Sequence, residues 1–146
     1  MSSGGHLAAI SVLDPSILSA CKLGHHRLSA LLLCGAVLDL DRMPHSPVVR
    51  LLAGKKSGAV WQQANPSNFI GQKKLPPTYL MHGTRDGLVP LEVMESFLAQ
   101  LSKEDRDQIQ LKIINSGGHL ASGEWIFKDD QYCQDLISFT EKHIQG

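Results

Sequence analysis

Residues 1–9 read MSSGGHLAA, a stretch typical of the exit from a sharp turn between a strand and a helix. A serine at the tip of such a turn has a strained backbone and needs small neighbours. The motif is G-x-S-x-G, and residues 1–4 supply x-S-x-G. Ser2 is therefore the candidate nucleophile, because a nucleophilic Ser3 would put Met1 at a glycine position. The alternative is a frayed Ser/Gly-rich tail.

The composition excludes several classes of function. The chain has 146 residues, enough for one domain with a core. Lys plus Arg and Asp plus Glu each number 14, so no net charge favours nucleic acid or an acidic membrane surface. Its 3 cysteines lack C-x-x-C spacing, which argues against a disulfide framework or a zinc knuckle.

The sequence shows neither a membrane span nor a secretion signal. The longest apolar stretch, residues 28–40, is too short to cross a bilayer. No basic segment precedes an apolar segment near the start. If Met1 is the true start, the sequence therefore predicts a cytoplasmic protein.

Apolar runs alternate with helical stripes along the chain, which predicts an α/β fold with a mostly parallel sheet. The near-continuous run at 28–34 indicates a strand covered on both faces. A second strand is predicted at 77–82 and a third, near an edge, at 109–113. Predicted helices cover 5–13, 16–22, 89–101 and a last segment that starts at Asp129 or Asp130.

Residues 39–77 form the longest irregular region, and long irregular regions in compact domains are usually functional or mobile. We predict loops and short helices there. Asp39 and Asp41 lie close together in sequence and could be a metal-binding pair. No third metal ligand is spaced with them, so a loop charge cluster is the simpler interpretation.

Two polar residues follow the second and third predicted strands. Asp86 comes in the turn after the second strand, and His119 follows Gly117 and Gly118 after the third. In an open α/β sheet, ligands bind beyond the carboxyl ends of the strands. The order Ser2, Asp86, His119 is also that of a known catalytic triad.

Three segments carry a resemblance to a known family: SSGGHLA at 2–8, HGTRDGLVP at 82–90 and SGGH at 116–119. They resemble the α/β-hydrolase superfamily, in its esterase/lipase branch of hormone-sensitive-lipase-like and feruloyl-esterase-like carboxylesterases. The resemblance covers essentially the whole chain but only the C-terminal half of the family's domain. It implies one partial domain over residues 1–146, in which 39–77 supplies a cap or substrate pocket.

The resemblance also implies a function for each site residue. Ser2 would attack a carboxylic ester, His119 would be the acid and base, and Asp86 would orient the ring of His119. The N–H of Ser3 would form part of the oxyanion hole. A small-molecule ester is the implied substrate, and neither a cofactor nor a metal is implied.

The chain departs from the family at its start, where the strand before Ser2 and a glycine-rich oxyanion loop have no counterpart. We therefore expect a truncated enzyme that is weakly active or inactive alone, with apolar surface exposed beside residues 28–34. Self-association through that sheet edge is a further expectation.

Each candidate residue has a structural alternative. Asp86 before Gly87 is a turn former, His119 is a loop residue, and His82 at a strand end is a core histidine rather than a second base. The whole chain is alternatively a non-catalytic fragment that binds a partner. The pair His25 and His26 suggests a metal-binding protein, but its spacing matches no ligand set.

Overall fold

Three parallel strands organise the computed structural model, which describes residues 1–24, 28–127 and 130–144. The strands are β1 (Leu31–Cys34), β2 (Thr78–Gly83) and β3 (Ile109–Ile114). They pair in the order β1-β2-β3, with Leu31 opposite Thr78 and Thr78 opposite Ile109. The predicted α/β class and the edge position of the third strand are confirmed.

Helices connect and flank the strands. Those before β2 are α1 (Ser2–Leu13), α2 (Pro15–Ala20), α3 (Pro47–Ala53) and α4 (Ala59–Ala64). Those after β2 are α5 (Leu91–Gln100), α6 (Lys103–Arg106) and α7 (Gln131–Ile144). Single 3₁₀ turns occupy Leu40–Arg42, Pro66–Phe69, His119–Ser122 and Glu124–Ile126.

Strand β1 is shorter than predicted, because it begins at Leu31 rather than at Leu28. Leu31 donates its N–H to the carbonyl of Pro77, at 2.9 Å. The next bond toward the start of the ladder would need an N–H from Pro77, and proline has none. The proline therefore ends the pairing before Ser29 is reached.

The two faces of the sheet pack against different helices. Leu31, Leu33 and Leu80 lie in one cluster with α1 and α5. Cys34, Tyr79 and Met81 lie in a second cluster with Leu136 and Phe139 of α7. Alternate strand residues point to opposite faces, so neighbouring positions join different clusters.

The prediction of exposed apolar surface on β1 is wrong for most of its side chains. Leu31 is 6% exposed, Leu33 is 1% exposed and Cys34 is 4% exposed. Helix α1 supplies cover on one face, where Gly5 lies so close to Ala36 that a Cβ on it would stand 2.6 Å from the Cβ of Ala36. What β1 leaves open, in the described part of the chain, is its backbone edge.

Residues 39–77 contain two short helices and a small core of their own around Leu40, Ala53 and Trp61. Asp39 accepts a hydrogen bond from Ser96 Oγ at 2.6 Å, and Asp41 accepts one from Trp61 Nε1 at 2.8 Å. Both carboxylates are thus held by protein donors, in keeping with a loop charge cluster. None of the helices in the described ranges combines the length and apolar character needed to cross a membrane.

Candidate active site

Asp86 is buried in the turn that follows β2. Its Oδ1 accepts hydrogen bonds from the N–H groups of Leu88 at 2.9 Å and Val89 at 2.8 Å. Hydrogen bonds that an aspartate accepts from backbone N–H groups two and three residues ahead stabilise a turn. Asp86 is therefore a turn former through Oδ1, while Oδ2 remains available for another partner.

That partner is His119, whose Nδ1 lies 2.7 Å from Asp86 Oδ2. A carboxylate only accepts hydrogen bonds, so Nδ1 carries the hydrogen and Nε2 can accept a proton. His119 begins the 3₁₀ turn after β3, and Ser122 Oγ donates to the His119 carbonyl at 2.9 Å. The arrangement orients a base, which is what a hydroxyl nucleophile requires.

Two glycines permit the loops of Asp86 and His119 to approach each other. A Cβ on Gly83 would collide with the backbone of Gly117. Arg85 donates its N–H to the Gly117 carbonyl at 2.9 Å, which joins the two loops directly. Larger residues at these positions would separate the carboxylate from the imidazole.

Gly35 is a third glycine at the site, and its position there was not predicted from the sequence. Its φ is +53°, and a Cβ there would lie 2.7 Å from Ser122 Oγ, 3.4 Å from His119 Cε1 and 3.5 Å from Asp86 Oδ2. Gly35, directly after the end of β1, thus lies against both Asp86 and His119. The available signal was a single glycine that ends an apolar strand run.

Ser2 is the first residue of α1 and has a φ of 51°. That left-handed conformation is uncommon for a residue with a Cβ. Gly5 packs on Ala36 beyond the end of β1, and a Cβ on Gly123 would collide with Met1 Sδ. Both contacts put the start of α1 at the same edge of the sheet as His119.

The structure joins Asp86 and His119 by a hydrogen bond, and Ser2 begins α1 at the same edge of the sheet. Across residues 1–24, 28–127 and 130–144, no hydrogen bond joins Ser2 Oγ to His119. Ser3 is exposed in the first turn of α1, where backbone N–H groups have no acceptor within the helix.

His82 lies on β2 just before this turn and is completely buried. Its Nε2 is 2.9 Å from the Val89 carbonyl oxygen and 3.7 Å from Asp86 Oδ2. Its Nδ1 has no hydrogen-bond partner among the residues described.

Burial also affects two groups on the α7 side of the sheet. It raises the pKa of the Cys34 thiol, against a hydrogen bond from Trp125 that lowers it. Burial, with Asp135 as the next contributor, raises the pKa of Tyr79 to about 12. Both effects disfavour the anion, so neither group suits a nucleophile near neutral pH.

The described residues contain no cluster of three His, Cys, Asp or Glu side chains that could hold a metal ion. The pair His25 and His26 lies outside the described residues, as does Asp129.

No protein-family model and no curated protein sequence matches the chain. Solved structures do match it. A truncated form of a carbohydrate esterase from gut microbiota superposes with a TM-score of 0.75 at 20% identity, over 99% of this chain and 58% of that one. An acetyl ester-xyloside bifunctional hydrolase from Caldicellulosiruptor lactoaceticus has a TM-score of 0.67 at 25% identity, over 97% and 53%.

A thermophilic esterase from Thermogutta terrifontis matches with a TM-score of 0.65 at 26% identity, over 97% of this chain and 51% of that one. The chain has the fold of these esterases. It spans little more than half of their length, so its parallel sheet and helices correspond to part of an α/β-hydrolase domain.

Proposed function

We propose that the chain is the C-terminal half of an α/β-hydrolase of the hormone-sensitive-lipase-like or feruloyl-esterase-like branch. It is a serine hydrolase that cleaves carboxylic esters through an acyl-serine intermediate. The observation that carries this proposal is the 2.7 Å bond between His119 Nδ1 and Asp86 Oδ2 at the carboxyl edge of the sheet. A half-buried imidazole that a carboxylate orients, at the edge of the sheet where α1 begins, is the arrangement that activates a serine.

The reaction begins when Ser2 Oγ attacks the carbonyl carbon of the ester and its proton passes to His119 Nε2. Asp86 keeps His119 in the tautomer with Nδ1 protonated and stabilises the imidazolium that forms. The N–H of Ser3, in the first turn of α1, donates to the oxyanion. His119 then returns the proton to the leaving alcohol. Water next attacks the acyl carbon while His119 takes its proton, the bond to Ser2 Oγ breaks, the carboxylic acid leaves, and His119 returns the proton to Ser2 Oγ.

The φ of 51° at Ser2 supports its assignment as the nucleophile. A residue with a Cβ adopts this conformation at a cost of roughly 1–3 kcal/mol, and such strain is concentrated at functional sites. Ser2 also occupies the N-terminal end of α1, where the helix dipole stabilises negative charge.

The structural neighbours support an ester substrate. One of them acts on carbohydrate esters by its name, and another is named an acetyl ester-xyloside hydrolase. Thermogutta terrifontis esterase 2 is also known phosphoramylated by tabun, in a structure that matches at 24% identity with a TM-score of 0.63 over 97% of this chain and 52% of that one. A small-molecule ester is accordingly the proposed substrate of this chain.

We expect residues 1–146 by themselves to be a weak esterase. A second oxyanion donor from a glycine-rich loop has no counterpart in this sequence. Loss of one such donor typically lowers kcat on the order of a hundred- to a thousand-fold. A fragment that only binds a partner is the alternative function.

A fluorophosphonate probe tests the proposed nucleophile in the full chain. We expect the label at Ser2, so Ser2→Ala should abolish labelling and Ser3→Ala, the matched control one residue away, should retain it. Labelling that survives Ser2→Ala and disappears in Ser3→Ala would show that the other serine attacks. Absence of labelling in the folded wild-type chain would favour the binding fragment.

A further inference from the structure

His82 makes one strong hydrogen bond from a completely buried position. Its Nε2 lies 2.9 Å from the carbonyl oxygen of Val89. A carbonyl oxygen only accepts, so Nε2 carries the hydrogen and donates it. In the neutral ring, Nδ1 is then an acceptor.

Val89 links this bond to Asp86. The N–H of Val89 donates to Asp86 Oδ1 at 2.8 Å, while its carbonyl accepts from His82. A carboxylate is planar, so fixing Oδ1 also fixes the direction of Oδ2. That second oxygen accepts from His119 at 2.7 Å. Three hydrogen bonds in series therefore connect His82 to the base.

The Nδ1 atom of His82 indicates why packing alone does not account for this residue. Within the described ranges it has no hydrogen-bond partner, and an unpaired buried acceptor destabilises a fold. An apolar side chain would avoid that penalty. The Nε2–H group, which also stands 3.7 Å from Asp86 Oδ2, is the feature that an apolar residue could not supply.

We propose that His82 is a positioning residue, whose Nε2–H holds Val89 so that the Asp86 carboxylate points at His119. Its kinetic consequence rests on the proposed esterase function. The hydrogen-bond geometry itself does not, and the two parts are tested by different measurements.

The kinetic test compares two substitutions of similar length. His82→Met removes the donor, and His82→Gln keeps an N–H that reaches the Val89 carbonyl. Loss of one hydrogen bond of this kind should lower kcat by about ten-fold in His82→Met with KM unchanged, and His82→Gln should recover most of it. Equal losses in both variants, or none in His82→Met, would overturn the proposal.

Thr78→Val is the matched control on the same strand. Thr78 is buried at the other end of β2, and its Oγ1 donates to the Pro76 carbonyl at 2.8 Å. Loss of this buried hydrogen bond in Thr78→Val should lower the melting temperature and leave kcat unchanged. A second control is Asp86→Asn, in which His82→Met should cause no further loss of kcat if it acts through that carboxylate.

A spectroscopic test does not depend on activity. Imidazole ¹⁵N spectra of the folded wild-type chain should show His82 protonated at Nε2 and His119 protonated at Nδ1. His82→Met should weaken the exchange protection of the His119 Nδ1 proton, and Thr78→Val should not. The opposite tautomer at His82 would overturn the inference, whereas an inactive chain with the expected tautomers would overturn only the proposed function.

Discussion

At the scale of single residues, Asp86 combines two tasks that usually compete as explanations. Oδ1 holds the turn through Leu88 and Val89, and Oδ2 holds His119. Asp86 thus forms the turn through one oxygen, and its proposed function of orienting His119 uses the other. A substitution that keeps the first task and removes the second separates them.

Asp86→Asn is that substitution. The amide oxygen should still accept from the turn, but its NH₂ would face His119 Nδ1 and favour the tautomer in which Nε2 carries the hydrogen. Nε2 then cannot accept a proton from Ser2, and kcat should fall on the order of ten-thousand-fold with the fold retained. Ester turnover and circular dichroism measure the two effects. Asp107→Asn, an exposed control, should change neither, and unchanged turnover in Asp86→Asn would limit that residue to turn formation.

Tyr79 gives a prediction about stability. Its hydroxyl is buried without a partner in the described residues, and burial raises its pKa to about 12 against roughly 10 in an unfolded chain. The folded state holds that proton more tightly, so this contribution to stability is complete below pH about 10 and is lost as the pH rises to about 12. Tyr79→Phe should be as stable as wild type near neutral pH, or more so, and lose less stability in the alkaline range. Urea unfolding across that range measures both, and parallel curves would contradict the prediction.

The sequence predicted these residues unequally, for physical reasons. Asp86 and His119 could be predicted from the sequence because each follows a strand, and parallel strands end at one edge. Gly35 could not be predicted, because its importance depends on the positions of His119 and Ser122, which are distant in sequence. The unpaired atoms of Tyr79 and His82 likewise appear only once their neighbours are known.

At the scale of elements, the connection after β1 requires a glycine at position 35, because a side chain there would clash with the site. Gly35→Ala would impose a Cβ at φ +53° and place it against Ser122, His119 and Asp86. Gly71→Ala is the matched control, since Gly71 has φ +83° with no atom within 4 Å of the added Cβ. We expect about 1 kcal/mol of destabilisation for Gly71→Ala from backbone strain, and at least about 2 kcal/mol with reduced ester turnover for Gly35→Ala. Equal effects in chemical unfolding would show that contact with the site is unimportant.

The ends of the strands and the buried faces of the helices are less well predicted by sequence patterns. The apolar run predicted a strand from residue 28, but pairing depends on β2, where Pro77 lacks the N–H that would extend the ladder. In α7, Ile137 and Ile144 are exposed, whereas Phe139 is buried against Tyr79 with ring centroids 5.4 Å apart. Helical spacing alone does not say which stripe meets the sheet.

At the scale of the whole molecule, the sheet ends in two different edges. Strand β3 carries a charged and partly exposed surface, with Leu111 44% exposed and Lys112 bonded to Asp135 at 2.7 Å. Strand β1 has buried side chains but an edge that no described strand covers. Leu31 and Gly35 donate toward β2, so the alternation of a parallel ladder turns the amides of Leu32 and Cys34 outward.

The open edge of β1 predicts self-association through that strand. Unpaired N–H and C=O groups on a short, apolar edge are a template for a second strand. We expect residues 1–146 expressed alone to be dimeric, aggregated or molten, with an apparent mass in light scattering that rises with concentration. Leu32→Pro removes one outward N–H where an edge strand tolerates proline, and it should shift the chain toward monomer. Leu111→Lys, on the opposite edge, should leave the association unchanged. If Leu111→Lys shifts the chain toward monomer instead, association runs through β3. A wild-type monomer with a sharp cooperative melt would contradict the prediction altogether.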